Sequence, residues 1–415
     1  MGKEIIIIGG GIIGLCTAYY LQKEGHKVTI IDQSEMDAGA SYINAGYLSP
    51  GHIIPLSAPG VMKKGLEWIF DATSPLYIKP RLNLDFLKWA WAFNKSCNPN
   101  HVKKAIPAIK EIALLSQELF DEIKDNENFK FHYEKKGLLM LCQTNKMLEA
   151  EIKTAQLARN EELDVKEISL SELKILEPNA KMNVIGATHY LCDYHTTPNE
   201  FMNEMKTYLK TVGVEFVKNE KVEDLNVLNG KINEVITKKR KYIADEFILA
   251  AGSWSGLLSK KIGLKLLLQA GKGYSINTTQ ETGITIPAIF AEAKAAVTPM
   301  NGFTRFAGTM EIAGINHKIN KVRVEAIAKS ATGYYPDVEL SQDEINNATC
   351  GLRPLSFDGL PYIGKSGKCK NLTIATGHAM MGWSMATATG KLVSEIISDK
   401  EPSINITPYH PDRKI

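Results

Sequence analysis

Cysteine is scarce in this chain. Six are scattered over 415 residues, at 16, 97, 142, 192, 350 and 369, with no C-x-x-C pair. That spacing argues against a disulfide framework or a zinc knuckle and suits a reducing compartment. Long hydrophobic runs are also missing. Ile5–Ile8 is far too short to cross a bilayer, and no apolar stretch approaches the about 20 residues a spanning helix needs. A strand-like run beginning at residue 4 leaves no room for a signal peptide, so a cytoplasmic location is expected. Neither sign of charge dominates: 49 Lys and Arg against 46 Asp and Glu leave a net charge of +3, which does not suggest a nucleic-acid partner. The densest basic run, Lys238-Lys239-Arg240-Lys241, lies between strand-like pieces at 232–236 and 242–244 and reads as the solvated tip of a hairpin. No internal repeat is evident. The length exceeds what one simple core accommodates, so two domains are expected.

What is present begins at the N-terminus. Glu4–Ile8 reads as a buried strand and runs into Gly9-Gly10-Gly11-Ile12-Ile13-Gly14, which contains G-x-G-x-x-G. Ile12 to Lys23 reads as a helix that Gly25 ends, and Val28–Asp32 as a second strand closed by an acid. Gly9 allows the tight turn, Gly11 lets the backbone approach a pyrophosphate, and Gly14 lets helix pack on strand. The open N–H groups of Ile12 and Ile13 and the positive helix end face the phosphates. Asp32, 18 residues after Gly14 and followed by Gln33, is placed to bind a ribose hydroxyl. The unit reads as a dinucleotide-binding βαβ.

Further along, residues 33–60 are loop-rich. Residues 61–95 interleave Trp68, Phe70, Tyr77, Phe86, Trp89, Trp91 and Phe93 with Lys63, Lys64, Lys79, Arg81 and Lys88. Helices are predicted over 102–124 and 145–163, around Leu170–Pro178, over Thr196–Lys210 with Pro198 in its first turn, and over Ser384–Ser398. Strands are predicted at Leu138–Leu141, Val214–Phe216, Phe247–Ala250 and Asn371–Gly377, with a hairpin at Asn301-Gly302. The order is α/β, α plus β, α/β, β, α/β. It predicts a Rossmann-like α/β domain assembled from discontinuous segments, 1–60, 195–265 and 345–415. An α+β substrate domain with a mainly antiparallel sheet is expected from 61–194 and 266–344. The late returns to the first domain favour FAD over a nicotinamide, because nicotinamide enzymes often complete the sheet with a contiguous second half.

Several short stretches then point one way. They are Ile7–Asp32; Gly39-Ala40-Ser41-Tyr42-Ile43-Asn44-Ala45-Gly46; Ser49-Pro50-Gly51; and Lys272-Gly273-Tyr274-Ser275, read as a turn. Arg305, Gly308, Thr309 and Glu311 follow on a strand. Cys350-Gly351-Leu352-Arg353-Pro354 leads into Asp358-Gly359-Leu360-Pro361, and Gly377-His378 and Gly382-Trp383-Ser384-Met385 complete the set. With these the chain resembles the D-amino-acid oxidase superfamily of flavoproteins along nearly its whole length, and within it the bacterial dehydrogenase branch. The resemblance implies FAD held by Ser41, Asn44, Ala45 and Gly46 along the pyrophosphate and flavin. It adds Val222 at the adenine, Ala251 and Gly252 in a turn beside the cofactor, and Met381, Gly382, Trp383 and Ser384 opening the last helix toward the flavin.

For the substrate, the resemblance implies that Arg353 grips an amino-acid carboxylate, which its planar fork suits. His52 and His378 are candidate catalytic groups near the flavin, although His52 reads equally as a hydrogen-bonded loop histidine. Tyr274 and Tyr334 are candidates for closing the pocket, or for plain packing. Cys350 lies near where relatives carry a covalent flavin link; Gly-Leu-Arg-Pro after it fits the non-covalent relatives. His189, Cys192 and His195 would place 192 on the opposite strand face from the other two, so no metal is expected.

The expected activity is oxidation of the Cα–N bond of a small amino acid, of the D series by the dehydrogenase-like match. A hydride passes to flavin N5, and a 2-oxo acid and ammonia result. Alternatives are a glycine, sarcosine or hydroxyproline oxidase or dehydrogenase, or a non-catalytic flavoprotein subunit of a complex. The electron acceptor is a quinone, oxygen or an electron-transfer protein. The aromatic, lysine-rich stretch 61–95 offers peripheral contact with the inner membrane, or else covers the second domain's core.

Overall fold

A computed structural model describes residues 2–62, 74–79 and 81–414; Lys63, Lys64, Trp68 and Phe70 of the aromatic stretch lie outside the described residues. A six-stranded sheet orders Glu215–Val217, Lys27–Ile31, Glu4–Ile8, Glu246–Leu249, Leu372–Thr376 and Tyr362–Lys365. The first five are parallel, and Tyr362–Lys365 closes the edge antiparallel. The all-isoleucine face of the first strand explains its central place. Ile5 and Ile7 pack into a cluster with the helices Ile12–Lys23 and Ala386–Ile397, while Ile6 and Ile8 pack into a second cluster on the other face. A strand buried on both faces reads as an unbroken apolar run. Every strand of this sheet comes from 1–60, 195–265 or 345–415.

The helix Pro198–Thr211 starts at Thr197 with proline in its first turn. The basic run closes the antiparallel pair Lys231–Thr237 and Lys241–Tyr242, which with Val222–Leu228 makes a three-stranded sheet.

A second, nine-stranded sheet contains Leu268–Thr278, Ala295–Met300 and Phe303–Ile312 near one end, and Leu138–Cys142, Gly186–Tyr190 and Val165–Ile168 at the other. Its pairings are antiparallel apart from Ala288–Phe290 with Leu138–Cys142 and Phe303–Ile312 with Leu76–Ile78. The Asn301-Gly302 hairpin is present, with Met300 opposite Phe303 and Gly302 in the left-handed region. Lys272–Ser275, expected as a turn, instead lies inside the long strand Leu268–Thr278. Its glycines serve close approach rather than a change of direction. The strand Thr349–Ser356 pairs along Leu268–Thr278 and so belongs to this large sheet. Its far end is tied to the first sheet's loops, because Leu355 bridges His378 and Pro354 O accepts the Ala379 N–H. Arg353 therefore sits where the two sheets meet.

Candidate functional site

The glycine turn is built as its pattern requires. Gly9 has φ 115, and a side chain there would strike the Ala250 carbonyl. A Cβ on Gly14 would overlap the Gly9 carbonyl, so this glycine sets how closely helix and turn pack. Gly11 occupies the N-cap position without a capping side chain of its own. Ser41 supplies a cap from a distant loop, its Oγ accepting the Ile12 N–H at 3.0 Å. Asp32 is anchored on both oxygens: Oδ2 accepts the Gly10 N–H at 2.7 Å, and Oδ1 accepts the Ser34 N–H and hydroxyl at 2.8 and 2.7 Å.

The loop after the second strand folds into a short helix, Ala40–Ile43, and is held down from behind. Arg305, buried on Phe303–Ile312, donates through Nη1 to the carbonyls of Tyr42 and Asn44, both at 2.8 Å. Burial pushes its pKa down to about 10, leaving it charged at neutral pH. Asn44 Oδ1 accepts the Gly46 N–H, and a side chain on Gly46 would strike the Thr196 carbonyl. Ser384 joins this loop to the C-terminal segment. Its hydroxyl donates to Tyr47 O at 2.7 Å and accepts the Ser49 N–H at 3.1 Å. Trp383 is fixed by its indole N–H on Thr196 Oγ1.

A cavity of about 730 Å³ runs between these pieces. From one end it is lined by Glu220, Val222 and Glu223, then by Asp32, Gln33, the Gly9–Ile13 turn, Ser41, Ile43 and Asn44, and further by Ala251, Gly252, Gly382 and Trp383. At the other sheet it meets Gly273, Tyr274, Gly351 and Arg353. Arg353 donates through Nη1 to Thr309 O at 2.9 Å, and no carboxylate of the described residues pairs with it. Burial pushes its pKa down to about 10, so it too stays charged at neutral pH. Tyr274 also lines the cavity, and its hydroxyl donates to Glu311 Oε2 at 2.7 Å. Glu311 also pairs with the buried Lys272, whose Nζ lies 3.1 Å away. His378 lines the cavity and is buried, which pushes its pKa down to about 3. Its Nε2 lies 2.9 Å from Thr389 Oγ1, which gives its own proton to Met385 O. That arrangement makes Nε2 the donor and leaves Nδ1 a bare acceptor.

The family model described as DAO, FAD dependent oxidoreductase, matches residues 4–396. The chain belongs to this family. A D-amino acid dehydrogenase of Helicobacter pylori is 33% identical over 402 residues, covering 96% of each chain. Among solved structures, glycine oxidase from Geobacillus kaustophilus superposes with a TM-score of 0.79 at 20% identity, covering 100% of this chain and 99% of that one. L-proline dehydrogenase from P. horikoshii gives 0.73 at 19% identity, covering 99% and 97%. These structural likenesses concern the fold: a Rossmann-like sheet assembled from separated segments beside a largely antiparallel one.

Within this FAD-dependent oxidoreductase fold, the residues singled out from sequence divide by position. Gly9, Gly11, Ile12, Ile13, Asp32, Gln33, Ser41, Asn44, Val222, Ala251, Gly252, Gly382, Trp383, Tyr274, Arg353 and His378 line the cavity. Gly14, Ala45, Gly46, Met381 and Ser384 stand behind that lining; Ala45, for example, accepts the Thr298 hydroxyl through its carbonyl. Met381–Met385 form a turn before the last helix, which itself starts at Ala386.

His52 is outside the lining, its Nδ1 3.7 Å from Asp193 Oδ2. Tyr334 is also outside. It ends the helix Lys321–Tyr334, stacks on Phe290 at 4.4 Å, and its hydroxyl bonds Glu292, so it fills the third core cluster. His189 and His195 lie on separate strands in different sheets; the His189 ring bonds Lys136 O, and His195 packs against His132. Sequence reasoning missed the lining residues Ser34, Met36, Trp254 and His317. Trp254 follows directly on Ala251-Gly252-Ser253, and that adjacency was its one signal. His317 stacks on it across the cavity wall at 6.0 Å, a contact between distant segments that no local pattern marks.

Proposed function

We propose that the cavity holds FAD non-covalently and that the enzyme oxidises the Cα–N bond of a small amino acid of the D series, with Arg353 on the substrate carboxylate. The observation that carries this reading is the half-buried Arg353 guanidinium, which lines the cavity with no carboxylate of the described residues as counter-ion. A partly desolvated cation without a counter-ion favours an anionic partner, and a ligand carboxylate supplies one. The cavity suits FAD in size, since ligand sites run from about 300 to 1,000 Å³. Its lining suits FAD as well. The Gly9–Ile13 backbone and helix end take the pyrophosphate, Asp32 and Gln33 the ribose, and Val222 the adenine. Ser41, Asn44, Ala251, Gly252, Gly382 and Trp383 take the flavin, braced by Gly14, Ala45, Gly46, Met381 and Ser384. When bound, FAD supplies the two-electron acceptor for the amine.

The remaining work falls to the chain. Arg353 fixes the carboxylate through two parallel N–H donors. The Tyr274 hydroxyl is held as a donor on Glu311, which fixes its ring in the cavity wall. His378 stays neutral and offers Nδ1 as an acceptor. The lining carboxylates Asp32, Glu220 and Glu223 belong to the glycine-turn end. No strong general base is required if the substrate amine arrives neutral, and catalysis then rests on holding Cα in place. The D-series assignment is supported by the Helicobacter pylori relative.

Electrons leave to a quinone or an electron-transfer protein rather than to oxygen. Supporting this is the helix Leu84–Ser96, whose outer face exposes Leu84, Leu87 and Trp91 beside Lys88 and Lys95. Aromatic and aliphatic side chains flanked by lysines suit a membrane surface. No helix among the described residues is long and apolar enough to cross a membrane. The deciding experiment is an anaerobic panel of D- and L-amino acids, glycine and sarcosine added to the yellow protein. Bleaching by small D-amino acids is expected. Bleaching by glycine or sarcosine alone moves the assignment to that activity, and no bleaching at all removes the enzymatic reading.

A further inference from the structure

The long strand Phe303–Ile312 carries a bulge directly beneath Arg353. Lys272 pairs with Glu311, yet Tyr274 pairs with Gly308, so Thr309 and Met310 together face the single residue Gly273. Thr309 is left-handed, with φ 68, a conformation a β-branched residue enters only when its surroundings hold it there. The carbonyl of this residue is the one that accepts Arg353 Nη1. From the other side, Arg353 stands opposite Gly271 in register and reaches diagonally across Gly273, whose direct partner is Gly351. A methyl group built on Gly273 would overlap Nη1, Nη2 and Cζ of the guanidinium. Two backbone features of the large sheet thus meet on one side chain.

We propose that Gly273 and the Thr309 bulge are positioning residues that act through Arg353, fixing the depth and angle at which its fork meets a substrate carboxylate. Gly273 leaves the floor open for the guanidinium. The bulge turns the Thr309 carbonyl up to hold one of its N–H groups, leaving the others for the ligand. Neither residue needs to touch the substrate. The proposal rests on Arg353 being the carboxylate site.

The test is a double-mutant cycle on the FAD-loaded enzyme, with acetate as the carboxylate probe. Its dissociation constant is read from the acetate dependence of thermal melts, alongside kcat and KM for D-alanine with a dye acceptor. Gly273→Ala is expected to weaken acetate and raise KM by about tenfold or more, as for a lost hydrogen bond to a charged group, with kcat changed far less. In the Arg353→Ala background the same substitution is expected to do nothing further. Thr309→Gly keeps the left-handed backbone and the carbonyl, so acetate affinity is expected to hold; Thr309→Pro, which cannot adopt positive φ, is expected to weaken it. If Arg353→Ala leaves acetate binding intact, the Arg353 reading itself fails. If Arg353→Ala weakens it but Gly273→Ala does not, or weakens it equally in both backgrounds, the positioning proposal is overturned. Loss of acetate affinity in a flavin-retaining Thr309→Gly variant overturns it as well, whether or not Gly273→Ala folds.

Discussion

The Arg353 guanidinium is half-buried, charged and matched by no carboxylate of the described residues. Its removal should therefore show in substrate chemistry and not in cofactor retention. Arg353→Ala is expected to keep FAD and lose several kcal/mol of transition-state binding, of the order of a charge-assisted bidentate contact. Near-normal kcat/KM in a flavin-retaining variant would take Arg353 out of the site. Cys350 makes a second residue-level prediction. Its thiol is pushed up by burial and donates to His317 O, which makes it a poor thiolate for attachment. Acid precipitation is expected to leave the flavin in the supernatant; yellow colour staying on the pellet would point to a covalent bond. The buried histidines give a third. His195 and His378 are both held near about 3 by burial, below the ordinary 6.5 of the unfolded chain. Between those values the unfolded state binds the proton, so stability is lost as pH falls below about 6.5, by about 1.4 kcal/mol per histidine per pH unit. Thermal melts from pH 7.5 to 5.5 check this, and His195→Gln should flatten the slope. An unchanged slope in that variant would mean that another group sets the acid limit.

At the level of elements, the first helix depends on a loop 29 residues away for its cap, through Ser41 Oγ and the Ile12 N–H. Ser41→Ala should cost about 1 kcal/mol at this contact and weaken FAD by roughly fivefold, measured by titrating the apoprotein. An unchanged FAD affinity would show that the cap does not shape the cradle. The βαβ unit was legible in the sequence because everything that defines it is local: the isoleucine run, the spaced glycines and an acid at a fixed distance. The helix Pro198–Thr211 and the Asn301-Gly302 hairpin were legible for the same reason. Arg353 was legible through resemblance, but its setting was not. The bulge at Thr309 arises from register between residues more than 30 positions apart in sequence. Lys272–Ser275 reads as a turn only through the family resemblance, whereas in the strand Gly271 makes room for Met310 and Leu355 and Gly273 for Arg353. Tyr334 looked like a pocket residue until the helix Lys321–Tyr334 turned it into the core against Phe290. The tryptophans split likewise. Trp89 is 2% exposed and donates to Leu355 O, while Trp91, two residues on and on the outer face of the same helix, is 60% exposed.

For the whole molecule, that outer face makes the electron acceptor testable. Substrate-reduced enzyme is expected to reoxidise slowly in air and fast on adding a soluble quinone. With the quinone in lipid vesicles, Leu87→Ser with Trp91→Ser should slow reoxidation but leave the soluble-quinone rate alone. Rapid recovery in air with stoichiometric hydrogen peroxide would make the protein an oxidase. The assembly of the first sheet has another consequence, for synthesis. Glu4–Ile8 leaves the ribosome early, yet its neighbour Glu246–Leu249 follows about 240 residues later, some 12–50 s at ordinary translation rates. Throughout that interval four consecutive isoleucines have an unpaired edge, which invites aggregation. The cavity wall is completed only by Gly382 and Trp383, near the end of the chain. Cofactor loading is therefore expected to follow synthesis, and production of soluble enzyme should respond to chaperone supply during elongation more than to flavin supply.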